Sequence, residues 1–513
     1  MQLSFTKNGL TFSLSPELIV VACDPRGLSS VMGQTSAERT IFKALQNFTF
    51  FTTTLKVRPI RGQDRKVILD PQICSEMKGI VHGYRNETAK QWGLDVANAQ
   101  ATNIVTVGQI VGVGPPPPRA GLEAKRRLFL DSPPSWWPFQ PGRYEIVEVE
   151  ENQVGGTPHM ATNPLDTPYF DHFDVNGLTH SLPWNWLNLQ GANGTLYVHG
   201  STCFESVLHC WSYWQILMQQ PHVQAALPSR KDALIVILGA GPSGLLAAIQ
   251  LRALGYTSVK LLEQTNRYAG KTHSLQVPDE KGTTICELGT CYMSPAYDDM
   301  IDSFRKFRVG TTDYDFTQGN ERVIMGAAND RGIAYPTAHG TKVMSFSDYG
   351  MMRACQWLGV PFDEGGRVIA EVALGVAAEQ YVRIRSEIFG CLDCVMPVTM
   401  PAHDPYRVFT KSFAEFLDAH EMGVLKGYLE YAYEIQGYGP LNEIPAYYGL
   451  VWVTPNMAWP WGPTAGVTAW SLGWENIWEQ MVGKLNLDLT LNAQVTRIVR
   501  EGVAEEDPAI AAE

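Results

Sequence analysis

Apolar and polar residues alternate from Leu3 to Leu14 across Lys7-Asn8-Gly9, which predicts a hairpin. Glu17 to Cys23 reads as a buried strand, ended by Asp24-Pro25-Arg26-Gly27. A helix is expected over Ala37 to Asn47 and a long β-branched and aromatic strand over Phe48 to Ile60. A short strand over Thr195 to Val198 precedes a helix over Phe204 to Met218, and the polar stretch Pro221 to Asp232 is a candidate linker. Then comes the most strongly patterned region. Ala233 to Leu238 is an unbroken apolar run, as in a strand buried on both faces of a parallel sheet. It leads into a helix-forming stretch closed by Gly255 and a second strand, Ser258 to Leu262. Farther on, Asp298 to Phe307 reads as a helix and Asp313 to Pro336 as strands and turns. Arg353 to Asp418 is mainly helical, interrupted at Gly365, Gly366, Pro397 and Pro401. A helix over Trp470 to Leu485, with Gly473 near its start, and a strand over Leu487 to Arg500 precede an acidic, alanine-rich tail.

Composition narrows the classes. The chain has 513 residues, 45% hydrophobic and 18% charged, enough for two or more cores and too apolar to be disordered. A net charge of −12 argues against a nucleic-acid partner and against a polybasic membrane anchor. No apolar run has the length of a membrane span, and the N-terminus lacks the apolar core of a signal peptide, so a cytoplasmic location is expected. Nine scattered cysteines include Cys391 and Cys394 but no second pair, so buried free thiols are expected and no metal site. Pro115 to Pro118 suggests an exposed loop. The clusters Trp136-Trp137-Pro138-Phe139 and Trp184-Asn185-Trp186 are core or pocket wall.

Chemistry concentrates just after the Ala233 run. Gly239, Gly241 and Gly244 stand as G-x-G-x-x-G between a strand and a helix. The first glycine allows a tight turn, the second lets backbone approach a pyrophosphate, and the third lets helix pack on strand. Ala240, Ser243 and the other amides at the helix start would hold the diphosphate. Glu263, at the end of the second strand, would take the ribose hydroxyls. Strand, turn, helix, strand and acid in that order make a dinucleotide site; a glycine-rich structural turn is the plainer alternative.

The residues that follow distinguish flavin from nicotinamide. Glu263-Gln-Thr-Asn-Arg267-Tyr-Ala269-Gly270-Lys271 resembles the E-x-x-x-R-x-G-G-[RK] segment of flavin-containing amine-oxidase-like proteins, with Ala269 in place of the first paired glycine. Glu287-Leu288-Gly289-Thr290 resembles the later D/E-L-G segment of the same superfamily. Further resemblance, to its polyenoic fatty acid isomerase-like branch, lies at Gly437-Tyr438-Gly439, Pro445-Ala446-Tyr447 and Val495-Thr496-Arg497-Ile498. Residues 233–500 look like the N-terminal half of that family and residues 10–218 like its C-terminal half. The resemblance therefore implies an α/β protein, a Rossmann-like FAD-binding domain plus an α+β substrate domain, in circularly permuted order. The alternative is a misjoined product of two neighbouring gene copies. The FAD-binding domain would gather residues 1–30, 180–300 and 466–513, and the substrate domain residues 31–179 and 301–465. The new chain ends, near Leu3 and Arg500, would interrupt a hairpin.

The resemblance also implies a site. FAD would lie against Gly239 to Gly244, Glu263, Gly270, Lys271, Gly289 and Thr290, with Val495 offering backbone to the adenine. A helix opening at Phe204, Glu205 and Ser206 would point amides at the flavin. His199-Gly200 stands where the superfamily has Gly-Glu, so the missing acid is absent or displaced to Glu205. Arg322 lies in the segment resembling the isomerase's carboxylate-binding arginine, and Lys56 is a weaker candidate for a lysine beside the flavin. Cys203 and Cys291 would lie near the cofactor. The expected reaction is hydride removal from an apolar small molecule by an oxidase, dehydrogenase or double-bond isomerase, the aromatic stretch Trp452 to Trp478 fitting such a substrate. An NAD-dependent dehydrogenase and a non-catalytic remnant of the fold are the alternatives. No catalytic residue is assigned.

Overall fold

The computed structural model describes residues 1–60, 62–114, 117–147, 168–324, 330–390, 396–397, 403–455 and 467–503. Cys391, Cys394, Trp461, the first two prolines of the run at 115 and the tail from residue 504 lie outside these residues.

The apolar runs form one parallel sheet. Its five strands lie in the order Thr195–Tyr197, Leu18–Val21, Ile235–Leu238, Val259–Leu262 and Asp488–Thr490. All four strand pairs are parallel, with Ile235 opposite Leu18 and Val259. Leu18–Val21 and Ile235–Leu238 have no side chain more than 2% exposed, which is why neither run shows alternation. Segments from both sides of the Pro221 linker thus share one sheet. The linker itself holds a short helix, Pro221–Ala226. Helix Pro242–Ala253 packs on this sheet, and Gly255 follows it at φ +88° as the left-handed cap. The fold is mixed α/β with a Rossmann-like dinucleotide unit.

A second, eight-stranded sheet is mostly antiparallel. Its main path runs Gly340–Ser345, Arg331–Thr337, Val67–Leu69, Lys78–Asn86, Asn103–Val111, Leu45–Pro59 and Phe139–Ile146, while Pro168–Phe173 also pairs with Leu45–Pro59. Helices Phe346–Leu358, Glu364–Phe389, Phe413–Ala419, Lys426–Glu434 and Ala446–Trp452 accompany it. The Trp136 to Phe139 cluster is core, packed around Tyr84 and Phe129, and Trp184 and Trp186 are buried in the main core. No helix among the described residues is long and apolar enough to cross a membrane.

The hairpin forms as read. Gln2–Lys7 pairs with Leu10–Leu14, and Asn8 and Gly9, at φ +51° and +76°, make the two-residue turn that such pairing requires. Gln2–Lys7 also pairs antiparallel with Gln494–Val499, so the first and last strands lie side by side.

Several boundaries differ from the sequence reading. The helix expected from Phe204 begins at Val207, because the Ser206 hydroxyl caps the amide of His209. The helix expected from Trp470 begins at Trp474; Thr468–Trp470 instead pairs with Arg322–Ile324, and Gly473 turns the chain at φ +83°. Leu487 to Arg500 is two strands, broken at Asn492 with φ +55°. The helix over Ala37 to Asn47 stops at Lys43, and the long strand starts at Leu45.

Candidate functional site

The glycine turn is built from close contacts. A Cβ on Gly244 would lie 2.0 Å from the carbonyl oxygen of Gly239, so the helix can approach the turn only with glycine there. Gly239, at φ +97°, packs on the end of the Leu18 strand: a Cβ on it would come within 3.2 to 3.3 Å of Ala22 and Cys23 backbone. Gly241 faces open space except for Gly270, whose Cα is 3.7 Å from the position of a Cβ. Gly270 is left-handed, at φ +51°, and a Cβ on it would be 3.0 Å from Gly241. Ala269 donates its amide to the Ala240 carbonyl at 2.8 Å while holding φ +73°, a costly conformation for a residue with a Cβ. Ser243 is buried in the first turn of the helix.

Acids and bases converge on this turn. Glu263 accepts from the Ala240 amide at 2.9 Å and from the Thr265 amide and hydroxyl at 2.9 and 2.8 Å. Arg267 donates through Nη1 to the Gly270 carbonyl at 2.7 Å, while its buried Nε and Nη2 have no hydrogen-bond partner among the described residues. Its nearest carboxylate oxygen, on Glu475, is 3.6 Å away, and burial draws its pKa down. Lys271 reaches across the seam to Glu205 at 2.7 Å. Burial pushes Glu205 up, but the charges of Lys271 and His199 bring it below the usual range. Asp171 sits behind, ion-paired with Arg26 and 3.9 Å from His199 Nδ1; burial and the neighbouring Asp24 raise it to about 6. One oxygen of Glu205 and one of Asp171 are buried without a hydrogen-bond donor among the described residues.

Beside this network is a narrow cleft, partly open to solvent. Glu205 and Ser206 line it from one side of the linker, Gly289 and Thr290 from the other. The second sheet supplies Thr52, His82, Gly83, Arg85 and Gly108, and Tyr169, Tyr292, Tyr297 and Tyr438 add aromatic surface. Thr52 ties the wall together by donating to the Leu288 carbonyl at 2.7 Å. Arg85 is held by Glu87 at 2.7 Å and by the Glu287 carbonyl, and Lys90 pairs with Glu87 at 2.6 Å. Burial raises the Glu287 carboxyl to about 7, although Ser274 and the Trp474 amide both donate to it.

Not every residue singled out in the sequence meets here. Arg322 pairs with Asp298 at 2.6 Å and with the Thr468 hydroxyl, outside the cleft lining. Val495 lies on the last strand opposite Phe5. Phe204 is fully buried in the core, Lys56 is half-buried on its strand away from the cleft, and Cys203 is buried outside the lining. Cys291 does line it, with its thiol pushed up to about 11 by burial. His82, Arg85 and Tyr169 carry no sequence reading, and Tyr438 enters only within Gly437-Tyr438-Gly439 without a site role; polar residues inside the Lys78–Asn86 strand are the one signal for His82 and Arg85.

A family profile described as an NAD(P)-binding Rossmann-like domain matches residues 237–307. The chain is 24% identical to polyenoic fatty acid isomerase of Ptilota filicina over 242 residues, 45% of this chain and 43% of that protein. It is 38% identical to protein anon-37Cs of Drosophila lebanonensis over 66 residues, 13% of this chain and 11% of that one. Among solved structures, the CLA-producing fatty acid isomerase from P. acnes is similar at TM-score 0.35 and 19% identity, over 54% of this chain and 55% of that one. The chain thus matches less than half the length of these curated relatives. The similarity is to the flavin amine-oxidase-like superfamily, as the motifs indicated.

Proposed function

We propose that this chain binds FAD noncovalently and is an oxidoreductase that takes hydride from an apolar small molecule, as an oxidase, a dehydrogenase or a double-bond isomerase. The observation that carries the reading is Arg267. A largely buried guanidinium with Nε and Nη2 making no hydrogen bond to a described residue and Glu475 no nearer than 3.6 Å, tied through Gly270 to the bare backbone of Gly241, has donors to spare for an anion. The diphosphate of a dinucleotide supplies that anion. Glu263 accepts at the ribose, and the unpaired oxygens of Glu205 and Asp171 suit hydroxyl or N–H donors of a bound flavin. The donor and acceptor set therefore fits FAD.

In this reading Gly239, Ala240, Gly241, Ser243 and Gly244 hold the diphosphate, and Gly270 and Lys271 close over it. Gly289, Thr290, Phe204, Glu205 and Ser206 border the flavin, and Val495 borders the adenine. Glu205, paired with Lys271, stands in for the acid missing at Gly200. Bound FAD would supply the hydride acceptor. The chain's own part is to orient the substrate, which the aromatic cleft walls do, and to exclude water. The likeness to a polyenoic fatty acid isomerase supports an unsaturated lipid as one substrate class. The FAD-binding domain is residues 1–30, 180–300 and 466–513 in circularly permuted order, a division supported by the mixed origin of the parallel sheet.

The absorption spectrum of the purified protein, read beside an NAD-binding assay, tests this. Flavin bands are expected. Binding of NAD without flavin bands, or neither, would overturn the proposal. Glu263→Ala should lose flavin on gel filtration while keeping its fold; wild-type retention would remove Glu263 from the site.

A further inference from the structure

We propose that His82 hydrogen-bonds the substrate in the cleft, at an uncharged oxygen, the hydroxyl or carbonyl of an otherwise apolar molecule. The inference rests on the reading of the cleft as the reaction chamber. His82 is only 1% exposed, yet it is one of the residues that line the cleft. Its Nδ1 is buried without a hydrogen-bond partner, and neither ring nitrogen bonds another described residue.

The other two deeply buried histidines behave differently. His172 Nδ1 lies 2.7 Å from the Phe170 carbonyl. His209 donates from Nε2 to the Val451 carbonyl at 3.1 Å, so its Nδ1 accepts from the Ser206 hydroxyl at 2.7 Å. Both are tied into backbone, as buried imidazoles in a core should be. His82 instead rests on Phe50, with ring centroids 6.1 Å apart, and on Gly108. A Cβ on Gly108 would sit 3.0 Å from His82 Cε1, so glycine there makes room for the ring. An imidazole buried without partners is a net cost to folding, and native proteins keep few such groups. A ligand in the cleft would remove that cost.

The ligand class follows from the charges around it. Burial lowers the His82 pKa to about 4, so the ring is neutral and offers one donor and one acceptor. Arg85 is engaged by Glu87, and Lys271 by Glu205. A carboxylate would meet no uncommitted cation among the described lining residues, whereas a hydroxyl or carbonyl suits a neutral imidazole. Phe50, Tyr84 and Leu288 supply the apolar wall for the rest of the molecule.

The test compares wild type, His82→Leu and His82→Gln by thermal unfolding, with 1-decanol, decanal, decanoate and decylamine as probes. His82→Leu should melt at or above the wild-type temperature, since an unpaired polar group is gone. Decanol or decanal should raise the wild-type midpoint by several degrees; the shift should vanish in His82→Leu and return in part in His82→Gln. A lowered midpoint in His82→Leu with the decanol shift intact would make His82 structural and overturn the proposal. So would a larger shift with decanoate or decylamine than with the alcohol, or no shift with any probe. Should His82→Leu not fold, His82→Phe carries the same comparison. The readout needs no flavin, so a colourless protein would sink the FAD reading and leave this test readable.

Discussion

Glu38 and Arg500 are 462 residues apart in sequence and form the most complete buried ion pair in the molecule's described residues. Both Glu38 oxygens accept from Arg500, each at 2.7 Å, and the Tyr197 hydroxyl adds a third bond at 2.6 Å. The side chains are 3% and 1% exposed. Burial alone would raise the Glu38 pKa, but Arg500 and Tyr197 pull it below the usual range. Glu38→Ala leaves a guanidinium buried without its counter-charge. Breaking a buried pair in this way costs about 3–5 kcal/mol, and unit charges about 4 Å apart at an effective dielectric near 20 interact by about 4 kcal/mol, so the two figures agree. The double variant Glu38→Met/Arg500→Met should recover most of the loss, because no charge remains stranded. Guanidinium unfolding followed by near-ultraviolet circular dichroism reads the midpoint; with a slope of about 5 kcal/mol per M, Glu38→Ala should lower it by roughly 0.6–1 M. A shift below about 0.2 M, or a double variant no better than the single, would refute the claim that this buried pair stabilises the fold.

Ala269→Gly should stabilise the protein by roughly 1 kcal/mol, since the residue holds φ +73° and a glycine pays less for that backbone; an unchanged or lower unfolding midpoint would count against strain there. Acid should destabilise the fold through His82, His172 and His209, whose pKa values burial lowers from 6.5 to about 4. The unfolded chain binds more protons than the folded one between those values, so stability is intact above pH 6.5 and falls toward pH 4, by up to roughly 3 kcal/mol per histidine. Chemical unfolding at pH 7, 5.5 and 4.5 checks this; a triple replacement by apolar residues that leaves the slope unchanged would assign it elsewhere.

The dinucleotide unit was legible because each of its signals is local. The Ala233 run, three glycines and Glu263 lie within one strand–helix–strand stretch, where Gly244 leaves the turn no room for a Cβ and Glu263 accepts from the Ala240 amide. The pairing of Leu18–Val21 with Ile235–Leu238 carries no local signal beyond two apolar runs; a resemblance to known proteins led to it. The helix at Phe204 was misplaced by three residues because Phe204 and Cys203 are apolar enough to continue a helix, while the Ser206 cap decides where it starts. His82 and Arg85 were hidden because their strand, interrupted by Gly79 and Gly83, has no clean period. Their chemistry arises from Phe50, Gly108 and Glu287, which only tertiary folding brings near.

The two sides of the linker meet at the glycine turn, through steric as well as electrostatic contacts. Gly239 bends at φ +97° against Ala22 and Cys23, just past the end of their strand, where a Cβ would come within 3.2 to 3.3 Å of their backbone. The shape of the turn therefore depends on residues more than two hundred positions earlier. Lys271, on the later side, is neutralised by Glu205, on the earlier side, and both are largely buried. Separated, each segment would bury or expose an unpaired charge and uncover a face of the parallel sheet, at roughly 25 cal/mol for every Å² of apolar surface returned to water.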